Sequence, residues 1–332
     1  MTAPVPKAIF FGDEVRIKRT YAQGRWEAIA ERAHVFPKVI TTDNLAQYAP
    51  ELVNVEVMFS TWGMPLLSAA QLDLLPSLRA LFYAAGTVQP FARPLLERGI
   101  TVVSGWAANA VPVAEFTVSQ ILLANKGYFQ NTRKYVTTDK HMAMHQAGNF
   151  GETIALIGAG MVARKVIEFL KPYHLKVVVY DPFLPDSEAN ALGVEKVTLD
   201  AAFARAGVVS NHLPDLPDTL GMFTGAHFAS MRPHATFINT GRGATIREDE
   251  MIRVLTDRPD ITALLDVTAP EPPLPHSPLR TLPNVFLSSH IAGSAGDEVL
   301  RIADYAIEEF DRWRAGEPLR YAITLDMLDR VA

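Results

Sequence analysis

The chain contains no cysteine. That single absence excludes disulfides, thiolate catalysis and cysteine-ligated zinc or iron–sulfur centres. It is compatible with a reducing cytoplasm, which is the expected location. A continuous run of 18 apolar residues is missing too, since the longest uncharged stretches, such as 99–114, are broken by Ser, Asn, Gly and Pro. No bilayer-spanning helix is expected on that basis. The opening MTAPVPKAIFFGDEVRIKR lacks the unbroken apolar block and small-residue cleavage site of a secretory signal. Positive charge is not in excess either: Lys plus Arg number 31 against 36 Asp plus Glu, for a formal net charge of −5. The overall field that recruits nucleic acid is therefore absent. Neither nucleic acid nor membrane is an expected partner.

What is present is enough apolar material for a core. The chain has 332 residues, 48% apolar and 20% charged, and domains of roughly 150 residues make about two of them. Strand-like apolar runs at 8–11, 53–60, 79–83 and 100–103 alternate with helix-like segments at 23–33 and 66–75. The alternation continues with runs at 153–157, 176–180, 208–211, 236–239, 261–265 and 285–289. Short β-branched strands separated by helix-length connections predict α/β architecture, here two doubly wound units with parallel sheets. A long apolar helix over 114–128 can carry the chain out of the first unit, and a charged helix over 297–313 can return to it. The expected division is a discontinuous domain, 1–110 plus 295–332, around a contiguous domain, 111–294.

One glycine-rich turn stands in a context that gives it meaning. Gly158-Ala159-Gly160-Met161-Val162-Ala163 follows the strand at 153–157 and precedes a helical segment. In the G-x-G-x-x-G/A pattern the first glycine permits the sharp turn and the second lets the backbone approach a pyrophosphate. The small third residue lets helix and strand pack closely. The next strand ends in Tyr180-Asp181-Pro182. A carboxylate there can accept ribose hydroxyls and repels a 2′-phosphate, so NAD rather than NADP is the expected cofactor. The alternative for Asp181 is a turn former ahead of proline.

Three further strand ends carry candidate chemistry. Arg242 lies between Gly241 and Gly243, where small neighbours permit unusual dihedrals and a planar fork can meet a carboxylate. Asp266 ends another strand, and Glu271 follows in a proline-stiffened loop. His290 ends a third, with Gly293 just beyond; histidine transfers protons near neutrality, and a nearby glutamate would orient it. The bland readings stay open: a solvated loop arginine, a turn-capping aspartate and a structural histidine.

The strings GAGMVA, INTGRGA, LLDVTAPEPP and SPLRTLPNVFLSSHIAG resemble the D-isomer-specific 2-hydroxyacid dehydrogenase family, well over about 111–294 and loosely before it. The resemblance implies a flavodoxin-like substrate domain and an inserted Rossmann NAD-binding domain. It places Arg242, Glu271 and His290 as the catalytic set and Asp266 near the nicotinamide carboxamide. Gly158, Gly160, Met161 and Val162 fall on the pyrophosphate turn, Asp181 on the ribose, and His212-Leu213-Pro214 on a loop lining the cofactor. Thr240, Gly241 and Gly293 flank the same site. Ala85-Gly86 resembles the loop whose N–H groups hold the substrate carboxylate, and Asn109 and Glu115 lie in the segment entering the second domain. The implied activity is NAD-dependent interconversion of a small anionic 2-keto acid and its D-2-hydroxy acid. The segment 130–148 resembles a dimer arm, so a homodimer is expected.

Departures bear on the substrate. Thr87-Val88-Gln89-Pro90 stands where the family often has Asp-Asn, Ile246-Arg247 where it often has Val-Asp, and Met161 where arginine or histidine is common. Trp62 and Trp106 are pocket walls or core aromatics. His141 and His145 have a metal-compatible spacing but no third ligand nearby, so no metal is expected. Two other functions remain open: an NAD(H)-responsive binding protein like the corepressors of this fold, and a relative oxidising formate or phosphite.

Overall fold

The computed structural model describes residues 5–137 and 147–328. His141 and His145 lie outside the described residues. The chain divides into two compact units, the first formed by 1–109 with 294–332 and the second by 110–293.

The first unit is built on β1 (Lys7–Phe10), β2 (His34–Val35), β3 (Val57–Thr61), β4 (Ala80–Ala84) and β5 (Thr101–Ser104). In the second unit lie β6 (Phe150–Ile157), β7 (His174–Tyr180), β8 (Glu195–Lys196), β9 (Val208–Asn211), β10 (Thr236–Asn239), β11 (Thr262–Leu265) and β12 (Val285–Leu287). The chain then returns to the first unit to add β13 (Ala322–Ile323). The first sheet runs β13-β5-β4-β3-β1-β2, parallel except for β13 on β5. The second runs β12-β11-β10-β9-β6-β7-β8 and is parallel throughout. Both are α/β sheets covered on both faces, which is why their central strands read as unbroken apolar runs.

Alternate residues of each central strand enter opposite cores. From β3, Val57 and Phe59 pack into one cluster while Met58 packs into the other. Likewise Ala155 and Ile157 of β6 face one core and Ile154 and Leu156 the other. The helix Met161–Leu170 buries Ala163, Val166, Ile167 and Leu170, an i, i+3, i+4, i+7 spacing that lays one stripe on the sheet.

Most boundaries shift by a few residues, and two differ most from expectation. The helix expected over 114–128 is Trp106–Asn125, eight residues earlier, with Pro112 inside it. Proline removes only one amide, and the chain keeps its helical course through it. This helix is long and apolar enough to cross a membrane, yet Ala114, Val118 and Ile121 are buried in a core beside β6. The strand expected over 53–60 starts four residues later and runs Val57–Thr61. Val55 N–H instead closes a turn on Leu52 O at 2.9 Å, extending the end of the preceding helix.

Candidate active site

In the second sheet the order reverses at β6, which pairs with β7 on one side and β9 on the other. Such a switch point opens a crevice beyond the strand ends. The glycine turn leaves β6 there. Gly158 has φ +98°, and a Cβ on it would meet the His212 carbonyl oxygen at 3.2 Å. Only glycine fits both demands. A Cβ on Gly160, by contrast, would meet nothing within 4 Å. Gly160 is also the N-cap of Met161–Leu170 and makes no side-chain cap bond. The first N–H groups of that helix thus face open space with the positive end of its dipole, a setting suited to a pyrophosphate.

Asp181 closes the turn from β7. Its Oδ2 accepts from Ala159 N at 2.7 Å, and its Oδ1 accepts from Phe183 N at 2.7 Å and Leu184 N at 3.1 Å. The carboxylate is fixed by backbone and remains partly exposed, with lone pairs left for hydroxyls. It acts as a turn former and stays available as a ribose acceptor. The residues present fit a dinucleotide.

Across the switch point β9 ends in Asn211 and continues to His212-Leu213-Pro214. Burial pushes the His212 imidazole down to about 3, so it is neutral at physiological pH; its Nε2 is 3.0 Å from Ser210 Oγ. Asn211 and Asn239 sit in register on β9 and β10. Asn211 Nδ2 donates to Asn239 Oδ1 at 2.9 Å, and Asn239 Nδ2 donates to the Arg242 carbonyl at 3.1 Å. Thr245 Oγ1 donates to that same carbonyl at 2.7 Å, while Gly241 N donates to Asn239 Oδ1 at 3.0 Å. Two buried asparagines therefore shape the loop that presents Arg242.

The flanking glycines serve a purpose other than the expected one. Neither Gly241 nor Gly243 has a left-handed φ. A Cβ on Gly243 would lie 2.1 Å from the Thr268 carbonyl carbon, and one on Gly241 would lie 3.0 Å from the Leu213 oxygen. They are small because the loop is pressed against two neighbouring loops. Arg242 itself is largely buried, and its Nη1 donates to Gly241 O at 2.8 Å. Burial lowers the affinity of its guanidinium for the proton, and the Asp215 and Glu271 carboxylates act in the opposite direction. Thr240, beside it, has its hydroxyl 3.3 Å from that of Thr117.

Glu271 and His290 follow β11 and β12, the two strands next in order from β10 in the sheet. His290 Nδ1 donates to Glu271 Oε1 at 2.8 Å, with both side chains substantially exposed. His290 has φ +57°, a left-handed conformation that costs a non-glycine residue free energy. Asp266 holds it there. Its carbonyl accepts from His290 N at 3.0 Å. Its carboxylate accepts from Ser288 Oγ at 2.6 Å, Ile291 N at 2.9 Å and Ala292 N at 2.9 Å. Asp266 is 2% exposed, so its carboxylate is committed first to the His290 turn, which passes on to the half-buried Gly293. The structure thus brings Arg242, Glu271 and His290 to three neighbouring strand ends. Asn211, Asn239, Asp215 and Ser288 escaped sequence reasoning; the paired asparagines ending two successive strands were the one visible signal.

The first unit contributes differently. Ser104 Oγ donates to the carbonyls of Ala85 at 3.1 Å and Gly86 at 2.5 Å. A Cβ on Gly86 would meet only Asn109 Nδ2, at 3.9 Å, so Gly86 borders open space. Asn109 Oδ1 accepts from Ser294 N at 3.0 Å. Glu115 is exposed. Trp62 packs against both cores of its unit, as a core aromatic does, and Trp106 packs edge-on against Tyr321 with ring centroids 6.1 Å apart.

Two parallel sheets, one with a glycine turn at its switch point, define a doubly wound dinucleotide-binding protein. Residues 118–292 match the family model described as D-isomer specific 2-hydroxyacid dehydrogenase, NAD binding domain. The chain belongs to the D-isomer-specific 2-hydroxyacid dehydrogenase family, and NAD is the cofactor of its second unit. It is 29% identical over 237 residues to the D-3-phosphoglycerate dehydrogenase of Archaeoglobus fulgidus, covering 70% of this chain and 44% of that one. To the D-3-phosphoglycerate dehydrogenase of Synechocystis sp. it is 28% identical over 230 residues, 69% of this chain and 41% of the relative. The matches thus span less than half the length of these curated relatives. Among solved structures, apo D-mandelate dehydrogenase of Rhodotorula graminis superposes with a TM-score of 0.79 at 22% identity, covering 96% of this chain and 98% of that one. A phosphoglycerate oxidoreductase from Rhizobium etli gives 0.79 at 22% identity, covering 96% and 97%. These two share the fold.

Proposed function

We propose that the protein interconverts a 2-keto acid and a D-2-hydroxy acid using NAD(H). The observation that carries this reading is the His290–Glu271 contact of 2.8 Å beside Arg242 at neighbouring strand ends. Bound NADH supplies the hydride. With Nδ1 donating to Glu271, His290 exchanges its proton at Nε2, giving it to the carbonyl oxygen in reduction and removing it in oxidation. Arg242 holds the substrate carboxylate with its planar fork and stabilises charge as the carbonyl oxygen becomes alkoxide-like. Glu271 keeps the ring in one orientation and stabilises its charged form. Asp266 holds the turn that aims it. The phosphate cradle is formed by Gly158, Gly160, Met161 and Val162, with Asp181 accepting from the adenosine ribose and His212-Leu213-Pro214 lining the far side. The phosphoglycerate and mandelate relatives carry names of 2-hydroxy acids, which supports the same substrate class here.

A homodimer belongs to this reading. Within the stretch that resembles the dimer arm, Tyr135 and Val136 expose 56% and 82% of their surface, and Tyr128 and Phe150 just outside it expose 49% and 79%, apolar side chains suited to cover by a second copy.

The deciding experiment follows NADH oxidation with 2-keto acids from glyoxylate to phenylpyruvate, with NADPH as control. Turnover with NADH and a D-configured product support the reading. Preference for NADPH contradicts the role of Asp181. Tight NADH binding without turnover points to a binding protein, and NAD reduction by formate or phosphite to the other relative.

A further inference from the structure

Glu271 stands in a loop that is short of backbone donors. Pro270, Pro272 and Pro273 carry no amide hydrogen, so residues 270–273 offer a single N–H, that of Glu271 itself. Both Glu271 and its partner His290 are substantially exposed, so packing around the side chains does not fix their contact. The backbone of the loop has to do so. A shift of about 1 Å at Glu271 would take its oxygen out of hydrogen-bond range of the imidazole.

The loop is gripped from the segment that follows Arg242. A Cβ on Gly243 would fall 2.1 Å from the Thr268 carbonyl carbon and 2.7 Å from Ala269 N, so the two backbones touch there. Five residues further on, Glu248 Oε2 accepts from that same Ala269 N at 3.2 Å. Within the loop, Thr268 Oγ1 donates to the Pro270 carbonyl at 2.8 Å, which carries the hold on to the residue before Glu271. Glu248 opens the helix Glu248–Asp257, and that helix is itself anchored. Glu250 Oε2 accepts from Gly225 N at 2.7 Å, and Met251 and Leu255 are buried in a core of the second sheet. Glu248 is half-buried. Burial pushes its carboxyl up, and the Ala269 N–H acts in the opposite direction. Desolvating a carboxylate is costly, and the bond it makes here is to the loop two residues before Glu271.

We propose that Glu248 is a positioning residue for the acid–base pair. By accepting from Ala269 N it fixes the loop that presents Glu271 to His290, and it ties that loop to the one presenting Arg242. This role rests on the reaction proposed above.

Glu248→Ala removes the acceptor, whereas Glu248→Gln keeps an oxygen for the Ala269 N–H. In the NADH-loaded full chain, Glu248→Ala should lower kcat by about 10- to 100-fold, with KM and NADH affinity changed far less, and Glu248→Gln should restore most of it. If Glu248→Ala does not fold, Glu248→Asp takes its place, since the shorter side chain keeps the charge but withdraws from Ala269. On a Glu271→Ala background, Glu248→Ala should cost little more, because both losses run through one residue. Fully additive losses, an unchanged kcat, a loss confined to KM, or no rescue by glutamine would each overturn the proposal. A second readout needs no turnover. At alkaline pH, where the ring is neutral, nitrogen NMR of His290 should show the Nδ1-protonated tautomer that donates to Glu271, its signals assigned by their loss in His290→Gln. Glu248→Ala should move the ring toward the Nε2-protonated form, as Glu271→Ala does, and Glu248→Gln should not. If no keto acid oxidises NADH, the proposed activity falls while the tautomer still decides whether Glu248 holds the pair. A tautomer unchanged in Glu248→Ala refutes it.

Discussion

Beyond β10, β11 and β12 of the second sheet the chain delivers Arg242, Glu271 and His290. Beyond β3, β4 and β5 of the first it delivers Trp62, Ala85-Gly86 and Trp106. Both sheets are doubly wound with cores on both faces, so their architecture does not separate them. What differs is how tightly the strand-end loops are held. In the second unit, Gly243 touches the Thr268 backbone, Asn239 holds the Arg242 carbonyl, and Asp266 holds the His290 turn. In the first, Gly86 has no neighbour nearer than 3.9 Å and borders open space. Reaction chemistry needs groups fixed within fractions of an ångström. A loop that accepts varied ligands needs room instead.

Arg242→Ala should break this contrast most severely. It is expected to lower kcat/KM by at least about 100-fold, with NADH affinity changed far less, as steady-state kinetics and fluorescence titration would show. Retained activity would contradict the role given to the arginine. The next effect is on stability. Gly243→Ala places a methyl 2.1 Å from the Thr268 carbonyl carbon and should cost about 3 kcal/mol or more. Gly86→Ala, whose nearest neighbour is 3.9 Å away, should cost under about 0.5 kcal/mol. Equal shifts in the urea midpoint would erase the proposed difference between the loops.

Asp266→Asn turns an amide toward three donors and should lose about 2 kcal/mol. Because the carboxylate supports a left-handed His290, kcat should fall more than KM rises; a change in stability alone would reduce Asp266 to a structural role. A further effect is on pH dependence. Burial holds His212 neutral down to about 3, whereas an unfolded histidine takes its proton near 6.5. Between those values the unfolded chain binds more protons, so stability is complete above about 6.5 and declines as pH falls, by up to about 1.4 kcal/mol per unit. Urea unfolding at pH 7 and 5 should show a larger loss for wild type than for His212→Gln.

The fold was readable because its signals are local. Apolar runs mark β6, β7 and β9 to β12, while β8, the exposed charged pair Glu195–Lys196, has no such run; the strand–glycine–helix order around Gly158 marks the turn. The sheet order of the first unit was less accessible: β13 is two residues long and antiparallel, too short to carry a periodic pattern. Pro112 concealed the true start of Trp106–Asn125, since proline's local bias against helix gave way to tertiary packing. Candidate residues could be picked out by type and spacing, but not the contacts that position them. The reason for Gly243 lies 25 residues away at Thr268, and the hold on His290 lies 24 residues back at Asp266.

The most direct test of the central claim is a single turnover with NADH deuterated at the transferring C4 position and a 2-keto acid that the protein accepts. A D-2-hydroxy acid bearing that deuterium at C2 should form with the wild type and be lost with Arg242→Ala. A product whose C2 hydrogen comes from solvent, or an L-configured product, would contradict it.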